Sequence, residues 1–504
     1  MSTRIFRAFV LMLVLFATPA LAQQHRDGGH GEQKTAGNGN GRGILSMLPA
    51  DSITEHTIDV RGRKLAYTAT AGTLNLYKQS GERSAAIFYT AYVLKGAQPA
   101  ARPVTFVFNG GPGAASAYLH LGLVGPKLLD FGPDARNAGN AQLRDNPDTW
   151  LAFTDLVLID PVGTGWSRAA DQNDLGNFLG VRADAQVLAK TIALYLTHSG
   201  RSASPKYLLG ESYGGLRAAK VARAAQDEQG VVINGIVMLS PLLEGSFQFG
   251  NRAFALGAAL QLPSLAAAEL ERKHAFTPAA LAAAEKFAMT DYLTTLAGPE
   301  PQGGAAQAFY AKVAQMTGLP VDLVTKSRGF IHGLYVKNLR SKDREIVSPY
   351  NVTFAAPDPY PESVSHSGDD PILDGITRAY GGAFADYARN DLGFKTEMTY
   401  QLLSSEVTRK WDWHGGRASV SASDDLRELL ALNPAFKLMV AHGYSDLVTP
   451  YSDSRYVLDH LPRIGAPGRV TLKLYRGGHM LYLDPESRAA FTADARTFYG
   501  ATPE

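Results

Sequence analysis

Residues 206–215, Lys206-Tyr-Leu-Leu-Gly-Glu-Ser-Tyr-Gly-Gly215, decide how this chain is read. Tyr207, Leu208 and Leu209 form a short apolar run of the kind a buried strand shows. Gly210-Glu211-Ser212-Tyr213-Gly214 then fits G-x-S-x-G, and residues 216–225 (LRAAKVARAA) are rich in helix formers. Strand, sharp turn, helix is the setting in which such a serine is presented as a nucleophile. Gly210 and Gly214, two places either side of Ser212, are small where a tight turn brings two backbone segments together. A nucleophile at such a turn is commonly held in a strained conformation.

Working outward, strands are read at 231–239 (VVINGIVML), 437–441 (KLMVA) and 470–475 (VTLKLY), and continuous apolar runs at 104–108 (VTFVF) and 155–160 (DLVLID). Such runs suit strands covered on both faces. Residues 181–198 have helical periodicity and lead into the strand at Tyr207, and 486–499 read as a closing helix. This alternation predicts an α/β fold with a mostly parallel sheet and crossover helices. Residues 56–94 differ, with a period close to two: 56–60, 64–69, 73–77 and 86–94 read as added antiparallel strands, with turns at 61–63 and 80–82. From 244 to 432 the pattern changes again. Residues 253–288 are alanine-rich and helical, with Pro263 and Pro278 as punctuation, and Thr277-Pro278 is a good N-cap and first-turn pair. Residues 357–371 are proline-rich and loop-like. The predicted organisation is a signal peptide at 1–22, a disordered glycine-rich segment at 23–43, a core in two parts at 44–243 and 433–504, and an inserted, mainly helical cap at 244–432.

The N-terminus sets the compartment. Arg4 and Arg7 precede the apolar residues 8–17 (AFVLMLVLFA), and Ala20-Leu21-Ala22 is an A-x-A cleavage site. The apolar run is too short to span a bilayer comfortably. A secreted or periplasmic protein results, with no membrane attachment after cleavage. The chain has no cysteine, which excludes disulfides, thiolate catalysis and cysteine metal sites. A net charge of +2 offers nothing to nucleic acid. His25 and His30 lie in the polar lead-in and make a poor metal site without further ligands. No metal and no cofactor is implied.

A serine hydroxyl needs a base beside it, and the base needs orienting. In doubly wound hydrolases the order is Ser, then Asp or Glu, then His, each on a loop at the carboxyl end of a strand. Seven of the twelve histidines follow Ser212, and of these only His442 and His479 closely follow a convincing strand. His479 sits in a glycine-rich turn after the last strand, and Asp446 just after the strand before it. Asp453 and Asp484 are fallback acids, and His442 reads as a structural neighbour satisfied by backbone groups. The oxyanion needs donors as well. The N–H of Tyr213 is one, and a second should come from the glycine-rich loop Asn109-Gly-Gly-Pro-Gly113, which follows the strand at 104–108 directly.

Asn109-Gly-Gly-Pro-Gly-Ala-Ala-Ser116, Asn146-Pro-Asp-Thr-Trp150, Asp160-Pro-Val-Gly-Thr-Gly-Trp-Ser167, Gly210-Glu-Ser-Tyr-Gly-Gly215 and Gly478-His-Met480 together resemble the serine carboxypeptidase family, peptidase family S10. The resemblance runs over about 104–243 and again over about 437–483. It implies an α/β-hydrolase fold and release of single residues from peptides with a free C-terminal carboxylate. Carried over by motif, Ser212 is nucleophile, His479 base and then acid, and Asp446 its orienter. Gly111 and Tyr213 give the oxyanion N–H groups, while Asn109, Gly110 and Glu211 hold the substrate's terminal carboxylate. Glu211 can meet a carboxylate only when it is protonated or shares a proton, since two close carboxylates do not both stay ionised. That predicts peptidase activity favoured at acidic pH, with esters tolerating higher pH.

The chain departs from the family pattern at three places. Ala114 stands where relatives commonly have cysteine. Leu123 stands shortly before Gly125-Pro126, where many relatives place a glutamate as partner to the carboxylate-binding glutamate. The segment after the catalytic histidine reads His479-Met-Leu-Tyr482, where the family often has His-Met-Val-Pro. The sequence reading is an exported serine-type carboxypeptidase. An esterase or acyltransferase on the same scaffold is its rival, and a binding protein that lost catalysis a more distant one.

Overall fold

The computed structural model describes residues 43–132, 138–251, 253–363 and 368–501. The expected signal peptide and nearly all of the glycine-rich lead-in, His25 and His30 included, lie outside the described residues. Nine strands build the central sheet: β1 Ser52–Val60, β2 Arg63–Tyr77, β3 Arg83–Leu94, β4 Val104–Phe108, β5 Asp155–Ile159, β6 Lys206–Glu211, β7 Gly235–Leu239, β8 Lys437–Gly443 and β9 Val470–Tyr475. Their spatial order is β1-β2-β3-β5-β4-β6-β7-β8-β9, and the two-residue strand Arg168–Ala169 also pairs with β3. β1 to β3 are antiparallel to their neighbours, and from β5 onward every pair is parallel.

The two faces follow from the strand period. In β4, Phe106 and Phe108 join one apolar cluster and Val107 the other; in β6, Leu208 and Leu209 divide the same way. Helices α1 Val181–His198 and α2 Tyr213–Gln229 cover the first face through Leu188, Ile192, Leu216 and Val221. Burying each such side chain is worth about 1.5–3 kcal/mol, which is why continuous apolar runs, rather than alternating ones, mark these strands.

The segment 244–432 divides in three. Helices α3 Ala255–Arg272, α4 Pro278–Phe287 and α5 Gly303–Thr317 pack on an apolar cluster containing Leu262, Phe287, Tyr292 and Val313. A hairpin of Glu345–Ser348 and Asn351–Pro357 follows. The last part rejoins the sheet. α6 Pro371–Asn390 lays Ile376, Tyr380 and Phe384 on one face of it, and α7 Ser423–Leu432 lays Leu426 and Leu429 on the other. α8 Tyr451–His460 and α9 Pro485–Phe498 complete the chain, α9 adding Phe491 and Ala495 to the α6 face.

Three local expectations change. Residues 64–69 and 73–77 are one strand, β2, with Gly72 inside it. A Cβ at Gly72 would meet the Asp51 carboxyl at 2.3 Å, and that carboxylate accepts the Thr73 N–H at 2.9 Å. The glycine therefore admits a side chain against the strand instead of ending it. Pro263 lies within α3 and does not break it, whereas Thr277 caps α4 by accepting the Ala280 N–H at 3.1 Å. The run at 231–239 is strand only from Gly235, because the Asn234 side chain turns to accept the Lys206 N–H at 2.8 Å.

Candidate active site

Ser212 stands between β6 and α2 with φ 63° and ψ −128°, a conformation that L-residues rarely adopt. The glycines around it explain how that is held. A Cβ at Gly210 would lie 1.9 Å from the Gly214 carbonyl oxygen, and one at Gly214 would lie 2.8 Å from the Phe108 carbonyl oxygen. Gly110 abuts the same turn, its missing Cβ falling 2.6 Å from the Tyr213 nitrogen. The loop after β4 and the elbow after β6 thus touch backbone to backbone. Gly210→Ala is expected to destabilise the protein by about 1–3 kcal/mol, the cost of overpacking a tight contact. Gly304→Ala, where nothing lies within 4 Å, is the control and should be neutral or slightly stabilising. Thermal unfolding of the two variants checks this.

The loop at 109–116 is secured from the far segment of the chain. Ala115 N–H donates to the Leu402 carbonyl at 2.8 Å, Ser404 N–H to Gly113 at 2.8 Å, and the Thr408 hydroxyl to Pro112 at 2.7 Å. Buried Arg217 of α2 donates to the Asn109 carbonyl and is itself paired with Asp184 at 2.7 Å. Gly110, Gly111 and Tyr213 border the same cavity as Ser212. The Tyr213 N–H begins α2, where the first N–H groups of a helix lack intrahelical partners.

Beyond β8 and β9 the chain supplies a histidine and a carboxylate in contact. His479 Nδ1 lies 2.9 Å from Asp446 Oδ2. Asp446 is fully buried, and its Oδ1 accepts the N–H groups of Val448 at 2.8 Å and Thr449 at 3.0 Å. Thr449, which sequence reading did not single out, places its hydroxyl 2.8 Å from Asp446 Oδ2 and 3.1 Å from His479 Nδ1. The backbone of His479 is fixed by its N–H donating to the Tyr350 carbonyl at 2.6 Å and its carbonyl accepting from Ser240 Oγ at 2.9 Å. The fallback acids are engaged elsewhere: Asp453 accepts from Gln248 at 3.3 Å, and Asp484 caps α9. His442 is buried in β8, where its Nε2 lies 2.8 Å from Ser454 Oγ and the Thr449 backbone adds a hydrogen bond.

Glu211 is the other buried acid. Asn109 Nδ2 donates to its Oε2, and the Tyr482 hydroxyl lies 3.1 Å from Oε1 and 3.2 Å from Oε2. The Asn109 side-chain oxygen accepts the Leu119 N–H at 3.1 Å, which fixes the amide so that its nitrogen faces Glu211. Burial raises the Glu211 pKa to about 7, against the lowering pull of His479, Tyr482 and Asn109. Ser212, His479, Glu211 and Asn109 all line one cavity of about 210 Å³. Part of its remaining wall comes from the segment expected to be a cap, including Phe249, Tyr350, Leu373, Trp413 and Arg417. Among the described residues, no group of three or more His, Asp or Glu side chains could hold a metal ion.

Comparison with known proteins gives a consistent family. The family model described as serine carboxypeptidase matches residues 66–469, a range that holds Asn109, Glu211, Ser212 and Asp446 and ends before His479. Serine carboxypeptidase-like 48 of Arabidopsis thaliana is 29% identical over 185 residues, 35% of this chain and 34% of that protein. The pheromone-processing carboxypeptidase KEX1 of Lachancea thermotolerans is 30% identical over 178 residues, 34% of this chain and 22% of that protein. These alignments therefore span about a third or less of the relatives' own length. The crystal structure of Kex1, a prohormone-processing carboxypeptidase from Saccharomyces cerevisiae, superposes with a TM-score of 0.55 over 86% of this chain and 91% of that one. At 14% identity it shows a shared fold, the α/β-hydrolase fold.

Proposed function

Because the chain belongs to the serine carboxypeptidase family, we propose that it releases single residues from the C-termini of peptides through an acyl-enzyme on Ser212. The observation that carries this is a buried carboxyl, Glu211, held by an amide beside the presented serine and in the same cavity as His479, whose Nδ1 contacts Asp446. An endopeptidase or a general esterase has no use for such a group. An exopeptidase must recognise a free terminal carboxylate just beyond the scissile bond.

In this reading His479 takes the Ser212 proton as the hydroxyl attacks the last peptide carbonyl. The Gly111 and Tyr213 N–H groups donate to the oxyanion. His479 then gives its proton to the departing amino group, and a water activated the same way frees the shortened peptide. Asn109, the Gly110 N–H and protonated Glu211 hold the leaving residue's carboxylate. Export as a secreted or periplasmic protein belongs to the same proposal. It rests on Arg4, Arg7, the apolar run at 8–17, the Ala20-Leu21-Ala22 site and the absence of cysteine. Among the described residues, no helix is long and apolar enough to cross a membrane.

The pH dependence follows from two groups. His479 must be neutral. Burial pulls its pKa down, but the Asp446 charge and hydrogen bond, helped by Glu211, leave it above the ordinary value of 6.5. Glu211 must be protonated, which holds below about pH 7. Peptide hydrolysis falls as pH drops through the His479 value and as pH rises through the Glu211 value. The profile is a bell whose alkaline limb lies near pH 7, and its two limbs belong to the coupled pair. An ester without a free carboxylate needs only His479, so its rate should rise and stay high.

The test is an N-blocked dipeptide against its C-terminal amide and its methyl ester from pH 4 to 9. The acid should be cleaved about 10²-fold better than the amide near neutrality, the worth of one or two hydrogen bonds between charged groups. Equal cleavage of acid and amide would remove the clamp and leave the triad. Cleavage of esters alone would favour the esterase reading.

A further inference from the structure

Resting on the carboxypeptidase reading, we propose that Tyr482 is a positioning residue of the carboxylate clamp, holding the Glu211 carboxyl against Asn109 so that one oxygen is presented to the substrate's terminal carboxylate. The phenol is within hydrogen-bond reach of both Glu211 oxygens, at 3.1 and 3.2 Å, and is fully buried. Oε2 already accepts from Asn109, and a hydroxyl has one proton to give. The phenol therefore donates to Oε1 both when Glu211 is ionised and when its proton lies on Oε2, which leaves that proton for the substrate's carboxylate. In either state the carboxyl keeps one orientation.

The surroundings are shaped for this ring. Tyr482 lies in the 3₁₀ turn Leu481–Leu483, immediately after His479 and Met480. Arg488, paired with Asp148 at 3.1 Å, donates to the Tyr482 carbonyl at 3.2 Å and fixes its backbone. Gly122 leaves the space the ring occupies: a Cβ there would fall 2.5 Å from the Tyr482 ring and 2.7 Å from the Tyr380 hydroxyl. The neighbouring residue is the apolar, buried Leu123. The groups bound to Glu211 are thus an amide and a phenol, neither of which ionises in the acid or neutral range.

The charged and titratable groups that face Glu211 are few. His479 favours its anion and Asp446 opposes it. Tyr118, Tyr350, Tyr380 and Tyr482 surround it and stay protonated, each pushed above the ordinary phenol value by burial first and by Glu211 among other charges. Arg488 stands behind Tyr380 and Tyr482, with Asp148 as its counter-ion. Glu211 is the acid that gains and loses the clamp's proton. Tyr482, donating to the anion, sets how far toward neutrality that proton is held.

Tyr482→Phe keeps the ring and removes only the donor. The protonated-carboxyl infrared band of Glu211, assigned by its loss in Glu211→Gln, is followed against pH in the whole protein with and without the substitution. Losing a hydrogen bond to the anion should raise the midpoint by about one pH unit. The high-pH limb of kcat/KM on the N-blocked dipeptide should move up with it. At pH 6, where Glu211 is protonated in both proteins, KM for that peptide should rise about tenfold. Thermal unfolding confirms that Tyr482→Phe is folded, and Tyr482→Met serves if it is not. An unmoved infrared midpoint with an unmoved KM in a folded variant would reduce Tyr482 to a space-filling residue. A protein that cleaves no peptide at any pH would overturn the carboxypeptidase reading instead, and the infrared midpoint would still decide whether Tyr482 holds Glu211.

Discussion

Replacing Ser212 with alanine is expected to lower kcat on an N-blocked dipeptide by roughly five to six orders of magnitude, with KM nearly unchanged. The substitution keeps the Cβ, so the backbone strain at φ 63° is the same in both proteins and folding is not at issue. What disappears is the oxygen proposed to form the acyl-enzyme. The cavity, the carboxylate clamp and the backbone donors all remain, which is why substrate should still bind. His479→Ala should cost about as much, and the double variant no more than either alone, because a base without its nucleophile has nothing to deprotonate. Labelling with a fluorophosphonate, positive in the wild type and absent in Ser212→Ala, ties the lost turnover to this hydroxyl. A drop of less than about tenfold would place the nucleophile elsewhere.

The pattern of the candidate site is legible in the sequence because its parts are backbone devices. A glycine that makes room for another chain segment has no substitute, so Gly110, Gly210 and Gly214 leave a fixed spacing around Asn109, Glu211 and Ser212. Strands covered on both faces have no polar side to alternate with, so β4 to β8 appear as short unbroken apolar runs. The parts that were not legible depend on side chains meeting through space. Thr449 is three residues from Asp446, an ordinary spacing for a turn threonine, and only the fold sets its hydroxyl beside His479 as well. Tyr482 reads as a departure from a motif until Gly122, 360 residues away, is found to leave room for its ring.

The segment at 244–432 was the hardest to place for a related reason. Its change of pattern is plain, but amphipathic helices do not name their partners. α6 carries Ile376, Tyr380 and Phe384 on one face, as a helix of a separate cap would, yet those side chains complete the apolar layer shared with α9. The residues just beyond it, 402–408, brace the loop at 109–116. The same segment therefore provides part of the cavity wall and the support for the loop at 109–116. Trp413 also packs its ring on Tyr213 at 5.5 Å, and Thr408 is tied to the backbone at Pro112.

Asp446→Asn carries the second large effect, an expected loss of about 10⁴-fold in kcat. The argument is one of tautomers. Oδ1 of Asp446 accepts two backbone N–H groups, from Val448 and Thr449, so the amide oxygen of an asparagine must take that place. Its NH₂ then replaces Oδ2 and faces His479 Nδ1 and the Thr449 hydroxyl. Thr449 adapts, since it can accept from the amide while donating to the Ser240 carbonyl at 2.8 Å. His479 cannot: Nδ1 must now accept, so the ring proton moves to Nε2, the nitrogen left to serve Ser212. An imidazole that donates there cannot take the serine's proton. Flipping the asparagine would aim its NH₂ at two backbone N–H groups and forfeit both bonds. The same change removes the charge that holds the His479 pKa above its ordinary value, so burial would dominate and the remaining acid limb should move to lower pH. Nitrogen NMR of the His479 ring reads the tautomer directly. The proton should lie on Nδ1 in the wild type and on Nε2 in Asp446→Asn. An Nδ1 proton in both, together with an unchanged kcat, would mean that His479 is oriented by its backbone and Thr449 alone.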